Sequence, residues 1–233
     1  MNGSFDKNPC KIYIFRDALG FDDVALRRAG TSGLDCIASA ISGKRSPKAC
    51  RHSLAGALLL LFAAENSFGL APAQTSLARS ANGKPFFAAA PELCFNLSHS
   101  GGAAVCITAP FPVGVDIERE RNVDISVMRR VCTRTELADI HSAPSPRTRF
   151  LCFWTLKESY VKATGDGMSF PMKHIEFTIT PDSIRATLPG CFFQTASDGY
   201  IISAAALIPN ALPQQLVPEL IEVDADALKR YLE

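Results

Sequence analysis

Residues 54–64, LAGALLLLFAA, are the longest apolar run in the chain, eleven residues with no charged side chain. A helix needs about 18 such residues to span a bilayer, so this run predicts a helix buried in a protein interior. Ser46 and Pro47 stand at its start as N-cap and first helical residue, which extends the helix from there through Glu65. A second long helical pattern runs over 147–164, behind the Pro/Ser loop SAPSP.

Strand patterns surround both helices. Residues 11–16 alternate like a strand and 34–41 form a short helix ended by Ser42-Gly43. The connector 72–80 includes a strand, NGKPF from Asn82 is a turn, and strands follow at 93–98 and 103–109. After APFP at 109–112 come a strand at 113–118 and short helices at 125–131 and 135–141, the second opened by a Thr133/Glu136 capping box. The chain closes with strands near 175–179, 192–195 and 200–207, a Pro-rich stretch, and a short helix from Ala225. No sequence repeat is visible, yet each half holds one long helix and about three strands. The expected division is 1–112 and 113–233.

Composition narrows the function classes. A net charge of +1 and a pI of 7.6 leave no global field that would draw the protein onto nucleic acid or a membrane surface, so an anion site must be local. The N-terminus shows no secretory pattern. Eight cysteines, at 10, 36, 50, 94, 106, 132, 152 and 191, form no C-x-x-C or Cys/His ligand cluster, which predicts reduced thiols and a cytoplasmic protein.

Four stretches carry candidate chemistry. In FWTLKESYVKATGDG, a helix stacks Trp154, Glu158 and Lys162 on one face at successive i, i+4 steps. In GVDIE, Asp116 and Glu118 share one side of a strand about 7 Å apart, with Val115 and Ile117 facing the core. Two such acids repel unless a cation sits between them, and with Glu158 they make a partial ligand set of the kind Mg²⁺ prefers. In FNLSHSGG, Asn96, Ser98 and Ser100 share one face while Leu97 and His99 take the other, and the glycines permit close approach of a ligand. Lys84 sits on the GKP turn, and Lys44, Arg45, Lys48 and Arg51 gather positive charge at the start of the first long helix, where backbone amides favour anions. Taken singly, each stretch is equally an ordinary solvated helix face, strand face or turn.

Together, GKP, FNLSHSGG, GVDIE and FWTLKESYVKATGDG resemble the signature set of the surfactin-type (Sfp-like) 4′-phosphopantetheinyl transferases, from about Lys84 to Pro171. The resemblance implies an α+β fold of two similar α/β subdomains, each a small antiparallel sheet packed on a long helix, related by a pseudo-twofold axis. The N-terminal half would bind the phosphates of coenzyme A and the C-terminal half would carry the metal-binding acids and the catalytic helix. It implies an enzyme that moves the phosphopantetheine arm of coenzyme A onto a serine of an apo acyl, peptidyl or aryl carrier protein and releases adenosine 3′,5′-bisphosphate. Asp116, Glu118 and Glu158 would bind Mg²⁺. Glu158 or a metal-bound water would be the base, with Glu136 also open for that role, and Lys162 would stabilise or protonate the leaving phosphate. Lys84, Ser98, His99, Lys48 and Lys162 would hold coenzyme A, with Arg51 or His52 at its 3′-phosphate, and Trp154 would anchor the helix.

The carrier is not identified by sequence: fatty-acid, polyketide and nonribosomal-peptide or siderophore pathways all remain. Pseudo-symmetry within one chain predicts a monomer. The competing readings are a coenzyme A- or carrier-binding regulator on the same fold, and a metal-dependent phosphodiesterase or nuclease, against which the near-neutral charge stands.

Overall fold

The structure is a computed structural model that describes residues 9–208 and 216–233; the Pro-rich stretch expected near the C-terminal end lies largely outside the described residues. In order, the elements are β1 (Lys11–Phe15), α1 (Asp23–Thr31), α2 (Asp35–Ile41), α3 (Pro47–Phe68), β2 (Leu77–Arg79), β3 (Pro85–Phe87), β4 (Cys94–Ser100) and β5 (Ala103–Ala109). There follow β6 (Val113–Arg119), α4 (Ile125–Val131), α5 (Arg134–Ser142), α6 (Pro146–Thr164), β7 (Phe177–Ile179), β8 (Ile184–Ala186), β9 (Cys191–Ser197), β10 (Tyr200–Ala206), β11 (Glu219–Glu222) and α7 (Ala225–Lys229).

These elements fall into two units, the first ending at Phe111 but regaining Pro218–Glu233, the second Pro112–Val217. In the first, the sheet order is β11-β1-β5-β4, with β1 and β4 antiparallel to β5. In the second it is β6-β10-β9, all antiparallel. Each unit also has a small hairpin after its long helix, β2-β3 before β4 and β5 in the first and β7-β8 before β9 and β10 in the second. The strand sequence β1, β4, β5 of the first unit is thus repeated as β6, β9, β10 in the second, the same α+β topology built twice.

Two features depart from the expectation. The first sheet is mixed rather than purely antiparallel, because β11 pairs in parallel with β1. For the same reason residues 218–233 belong with the first unit instead of the second: β11 satisfies the backbone along one edge of β1, and Val223, Leu228 and Leu232 bury themselves in the core around α3.

α3 explains why its apolar run has no polar side. It packs against β5, β1 and β4 on one side and against α1, α2 and α7 elsewhere, so Leu54, Leu58, Leu59, Leu60 and Leu61 are all essentially inaccessible. The Ser46 side chain accepts from the Ala49 amide at 3.2 Å, the expected N-cap, and the helix closes on Gly69 in the left-handed conformation (φ +67°). α6 has Pro146 in its first turn and closes in the same way on Gly165 (φ +79°). Arg149 ties α6 to α5 through two bonds to Asp139, at 2.5 and 2.8 Å.

All eight cysteines are free thiols, as expected, and five are buried. Burial pushes the Cys10 and Cys132 thiols up to about 12, so they stay protonated and inert. Among the described residues no helix is long and apolar enough to cross a membrane.

Candidate functional site

In the second unit the chemistry sits where β6 passes under α6. Strand alternation places Gly114, Asp116 and Glu118 on the helix-facing side, and Val115 and Ile117, both buried, on the other. The two acids share one side of the strand, as expected, but that side is the one α6 covers, and Val115 and Ile117 lie buried on the other.

Gly114 permits this. A Cβ at that position would lie 2.1 Å from the Ser159 carbonyl oxygen and 2.4 Å from the Ala163 nitrogen, so only glycine lets the two backbones approach so closely. The consequence is that Lys162, one turn after Glu158, drops its ammonium onto β6. Its Nζ donates to Asp116 Oδ1 at 2.6 Å and to the Val115 carbonyl at 3.2 Å. Gly114→Ala is expected to cost roughly 1–3 kcal/mol of stability by forcing backbone apart and to reduce turnover, because the contact between Lys162 and Asp116 depends on that approach. A urea melt and a turnover assay that both matched wild type would refute this account.

Glu158 shares the neighbourhood. Its carboxyl is pushed above the ordinary carboxylate range, first by burial, then by the negative charges of Asp116 and Glu118, with Lys162 opposing. Arg121 reaches Glu118 at 3.3 Å. Three carboxylates thus act on one another here, and one ammonium offsets part of their repulsion. Among the described residues, however, no three acid, histidine or cysteine side chains are gathered as a ready-made metal cage.

The helix that presents Glu158 is held by two buried polar networks. Thr155 is hydrogen-bonded to Ser203 at 2.6 Å, and Gln194 donates to Ser203 at 2.8 Å and to the Cys152 carbonyl at 2.9 Å, which joins α6 to β10 and β9. Beside Glu158, Lys157 is completely buried. Its ammonium meets Glu136 Oε2 at 2.9 Å and donates to the Met172 carbonyl at 2.9 Å and to the Ile175 carbonyl. Glu136 in turn accepts from the Thr133 amide at 2.8 Å, the expected capping box, and from the Phe177 amide at 2.9 Å. With its carboxylate committed to three donors in the interior, Glu136 is a structural group and not a base. Trp154 packs partly buried beside Phe150, ring centroids 6.0 Å apart, in keeping with an anchor.

Sequence reading overlooked the roles of Gly114 and Lys157. A signal was present: Lys157 lies on the stripe Phe150, Phe153, Tyr160 that faces the core at i, i+3, i+7, i+10.

The first unit holds the other expected residues. Lys84 sits on the β2-β3 hairpin, fixed by the Ser80 amide bonding to its carbonyl at 2.9 Å and by its own amide bonding to Ser80 Oγ at 3.1 Å. Burial lowers its pKa, so an anion would be a welcome neighbour. On the edge strand β4, His99 turns toward α3 with Phe95 and Leu97, and Ser98 points to the opposite face. The side chains of Ser98 and His99 are therefore not brought together.

His99 stacks on His52 of α3, with ring centroids 4.7 Å apart and planes 22° from parallel. Arg51 is turned elsewhere: its Nε donates to the Phe21 carbonyl at 2.7 Å and its Nη2 to Asp23 at 3.2 Å. Lys48 is exposed in the first turn of α3, one turn before His52.

Comparison with known proteins agrees with this picture. Residues 112–205 match the sequence profile of the 4′-phosphopantetheinyl transferase superfamily. A 4′-phosphopantetheinyl transferase of Bacillus subtilis is 31% identical over 194 residues, 76% of this chain and 86% of that protein. The Bacillus pumilus 4′-phosphopantetheinyl transferase psf-1 is 32% identical over 140 residues, 59% of this chain and 60% of that one. The Sfp protein of Bacillus subtilis strain 168 is 28% identical over 137 residues, 55% of this chain and 61% of that one. The chain belongs to the 4′-phosphopantetheinyl transferase superfamily. It is a transferase of the Sfp-like kind.

Proposed function

We propose that this chain moves the phosphopantetheine arm of coenzyme A onto a serine of an apo acyl or peptidyl carrier protein, in a Mg²⁺-dependent reaction that releases adenosine 3′,5′-bisphosphate, and that it works as a monomer in the cytoplasm. The observation that carries this reading is the group on the α6 side of β6: Asp116 bound to Lys162, with the Glu158 carboxyl raised by burial and by the charges of Asp116 and Glu118 beside it. It is supported by the transferase names of the relatives.

The reaction forms a bond between the serine oxygen and phosphorus and breaks the bond from that phosphorus to the oxygen of adenosine 3′,5′-bisphosphate. A serine hydroxyl is a weak nucleophile and a pyrophosphate carries much negative charge, so the tasks are positioning, proton removal and charge neutralisation. Glu158, whose carboxyl holds its proton more firmly than usual, is matched to take the serine proton. Lys162 carries a fixed ammonium one helical turn away and would compensate the charge that develops on the leaving phosphate. Asp116, Glu118 and Glu158 are hard oxygen donors of the type Mg²⁺ takes, and the ion they would hold supplies neutralisation and orientation of the pyrophosphate. Lys84 and His99 of the first unit are assigned to the phosphates of coenzyme A.

The test is intact-protein mass spectrometry of apo acyl and peptidyl carrier domains incubated with the protein, coenzyme A and Mg²⁺, with and without EDTA. A gain of one phosphopantetheine arm that EDTA abolishes is the expected result. No gain on any carrier, with coenzyme A binding intact, would replace the transferase reading by a non-catalytic binding role.

A further inference from the structure

We infer, resting on the reading of Glu158 and Lys162 as the groups that serve the transfer, that Gln194, Ser203 and Thr155 are positioning residues for them. Their chain of hydrogen bonds fixes the roll of α6 on its sheet, and with it the aim of both side chains.

Each proton in the chain has one place to go. The side-chain nitrogen of Gln194 only donates, and it reaches the Cys152 carbonyl at 2.9 Å and Ser203 Oγ at 2.8 Å. At the other end the Leu151 carbonyl only accepts, and Thr155 Oγ1 donates to it at 2.9 Å. Thr155 and Ser203 lie 2.6 Å apart, so with the Thr155 hydrogen committed to Leu151 it is Ser203 that donates to Thr155. The order runs from Gln194 through Ser203 and Thr155 to the backbone of α6. Thr155 and Ser203 are both inaccessible to water, so solvent cannot take the place of either partner. Such a chain resists rotation of the helix, because a hydrogen bond weakens steeply with angle, whereas an apolar contact has no preferred direction.

The repeated fold contains its own control. In the first unit Leu97 of β4 pairs with Cys106 of β5, and in the second Gln194 of β9 pairs with Ser203 of β10. All four are the central residues of their seven-residue strands. Leu97 and Cys106 belong to the apolar core around α3. The same two positions are therefore apolar beneath α3 and polar beneath α6. Packing of a long helix on this hairpin does not require the polar pair, and satisfied polar groups add little net stability over apolar ones of the same shape.

The lever is long enough to matter. Glu158 and Lys162 follow Thr155 by about one and two helical turns. A side-chain head stands ~5–6 Å from the helix axis, so a roll of about 10° displaces it by about 1 Å. A misplacement of that size can cost ~100-fold in rate. Gly114 sets how near α6 comes to β6, and the hydrogen-bonded chain sets how it is turned.

The test carries the first unit's residues into the second, as Gln194→Leu and Ser203→Cys combined with the isosteric Thr155→Val. The Leu151 and Cys152 carbonyls keep their helical amide partners, so no buried group is orphaned. In a urea melt the triple variant should be no less stable than wild type, while kcat for phosphopantetheine transfer falls by about tenfold or more. Its KM for coenzyme A should change little, because the first unit is untouched. Thr155→Ser keeps the hydroxyl and should keep kcat near wild type. Trp154 is the one tryptophan of the chain and adjoins Thr155, so its indole N–H resonance reports the setting of α6 independently of turnover. One sharp signal is expected in wild type and in Thr155→Ser, and a broadened or divided one in the triple variant. Wild-type kcat with a single sharp indole signal in the triple variant would overturn the inference, as would a loss of kcat no larger than the loss of folded protein. No transfer by wild type, with the indole signal still divided in the variant, would keep the positioning chain and discard the transferase reading.

Discussion

Lys157→Met is expected to destabilise the protein by about 3–5 kcal/mol, the usual consequence of stripping one partner from a fully buried ion pair. Lys157 and Glu136 are both inaccessible to water, and the ammonium also satisfies the Met172 and Ile175 carbonyls. Its removal leaves a buried carboxylate facing a methyl group and orphans two acceptors. Glu136→Gln should be destabilising as well, because its single amide oxygen can accept from only one of the Thr133 and Phe177 amides and the buried ammonium loses its counter-charge. The double variant Lys157→Met/Glu136→Leu should recover part of the loss, because an apolar replacement of the whole pair removes the uncompensated charge. Chemical denaturation monitored through Trp154 provides the readout, and a double-mutant cycle the coupling. A single variant within about 1 kcal/mol of wild type would mean that this pair behaves like a surface one. A loss of turnover in Lys157→Met under conditions where it remains folded would show that the pair also fixes the roll of α6, and with it the aim of Glu158.

Much of the architecture was legible in sequence because the two long helices carry their own boundary signals. Ser46-Pro47, Pro146 and the terminal glycines 69 and 165 delimit them without help from tertiary contacts. The central strands β5 and β10 were legible for a related reason: each is buried along its whole length and appears as a mostly apolar run, interrupted by Thr108 in one and Ser203 in the other. α1 was missed because of its residues only Ala29 is buried, so it lacks an apolar stripe of readable width. β8 is three residues long, and β11 owes its strand to β1, some two hundred residues earlier, with Arg16 and Glu222 paired across that distance at 2.8 Å. No local pattern encodes such a partner.

The same distinction applies to the site. Asp116, Glu118, Glu158 and Lys162 declare themselves by spacing on one strand and one helix, which is local geometry. That Lys162 crosses to Asp116 is decided by Gly114, whose importance lies in the helix above it, and Arg51 is turned to the Phe21 carbonyl and Asp23. Adjacent residues on a helix point about 100° apart, so a sequence window does not say which way each of Arg51 and His52 is turned.

Glu158→Gln is expected to lower transfer by roughly 10²–10⁴-fold, the range lost with a general base, while making the metal-free protein more stable near neutral pH. The sign follows from the direction of the shift. Glu158 holds its proton more firmly in the folded state than in the unfolded chain, because burial, Asp116 and Glu118 all oppose its charge more than Lys162 favours it. Its contribution is favourable to folding at acid pH, is lost as pH rises from the ordinary carboxylate range through the raised folded value, and is an unrelieved cost above that. A neutral glutamine of the same shape escapes this cost. The stability advantage of Glu158→Gln, measured by denaturation in EDTA, should therefore be present at neutral pH and shrink as acid protonates Glu158 in the wild type. Mg²⁺ should narrow the gap from the other side by stabilising wild type more than the variant. A variant that loses activity and stability together would identify Glu158 as a packing residue. One that keeps activity would remove it from the chemistry and leave Lys162 and Asp116 as the pair on which the reaction depends.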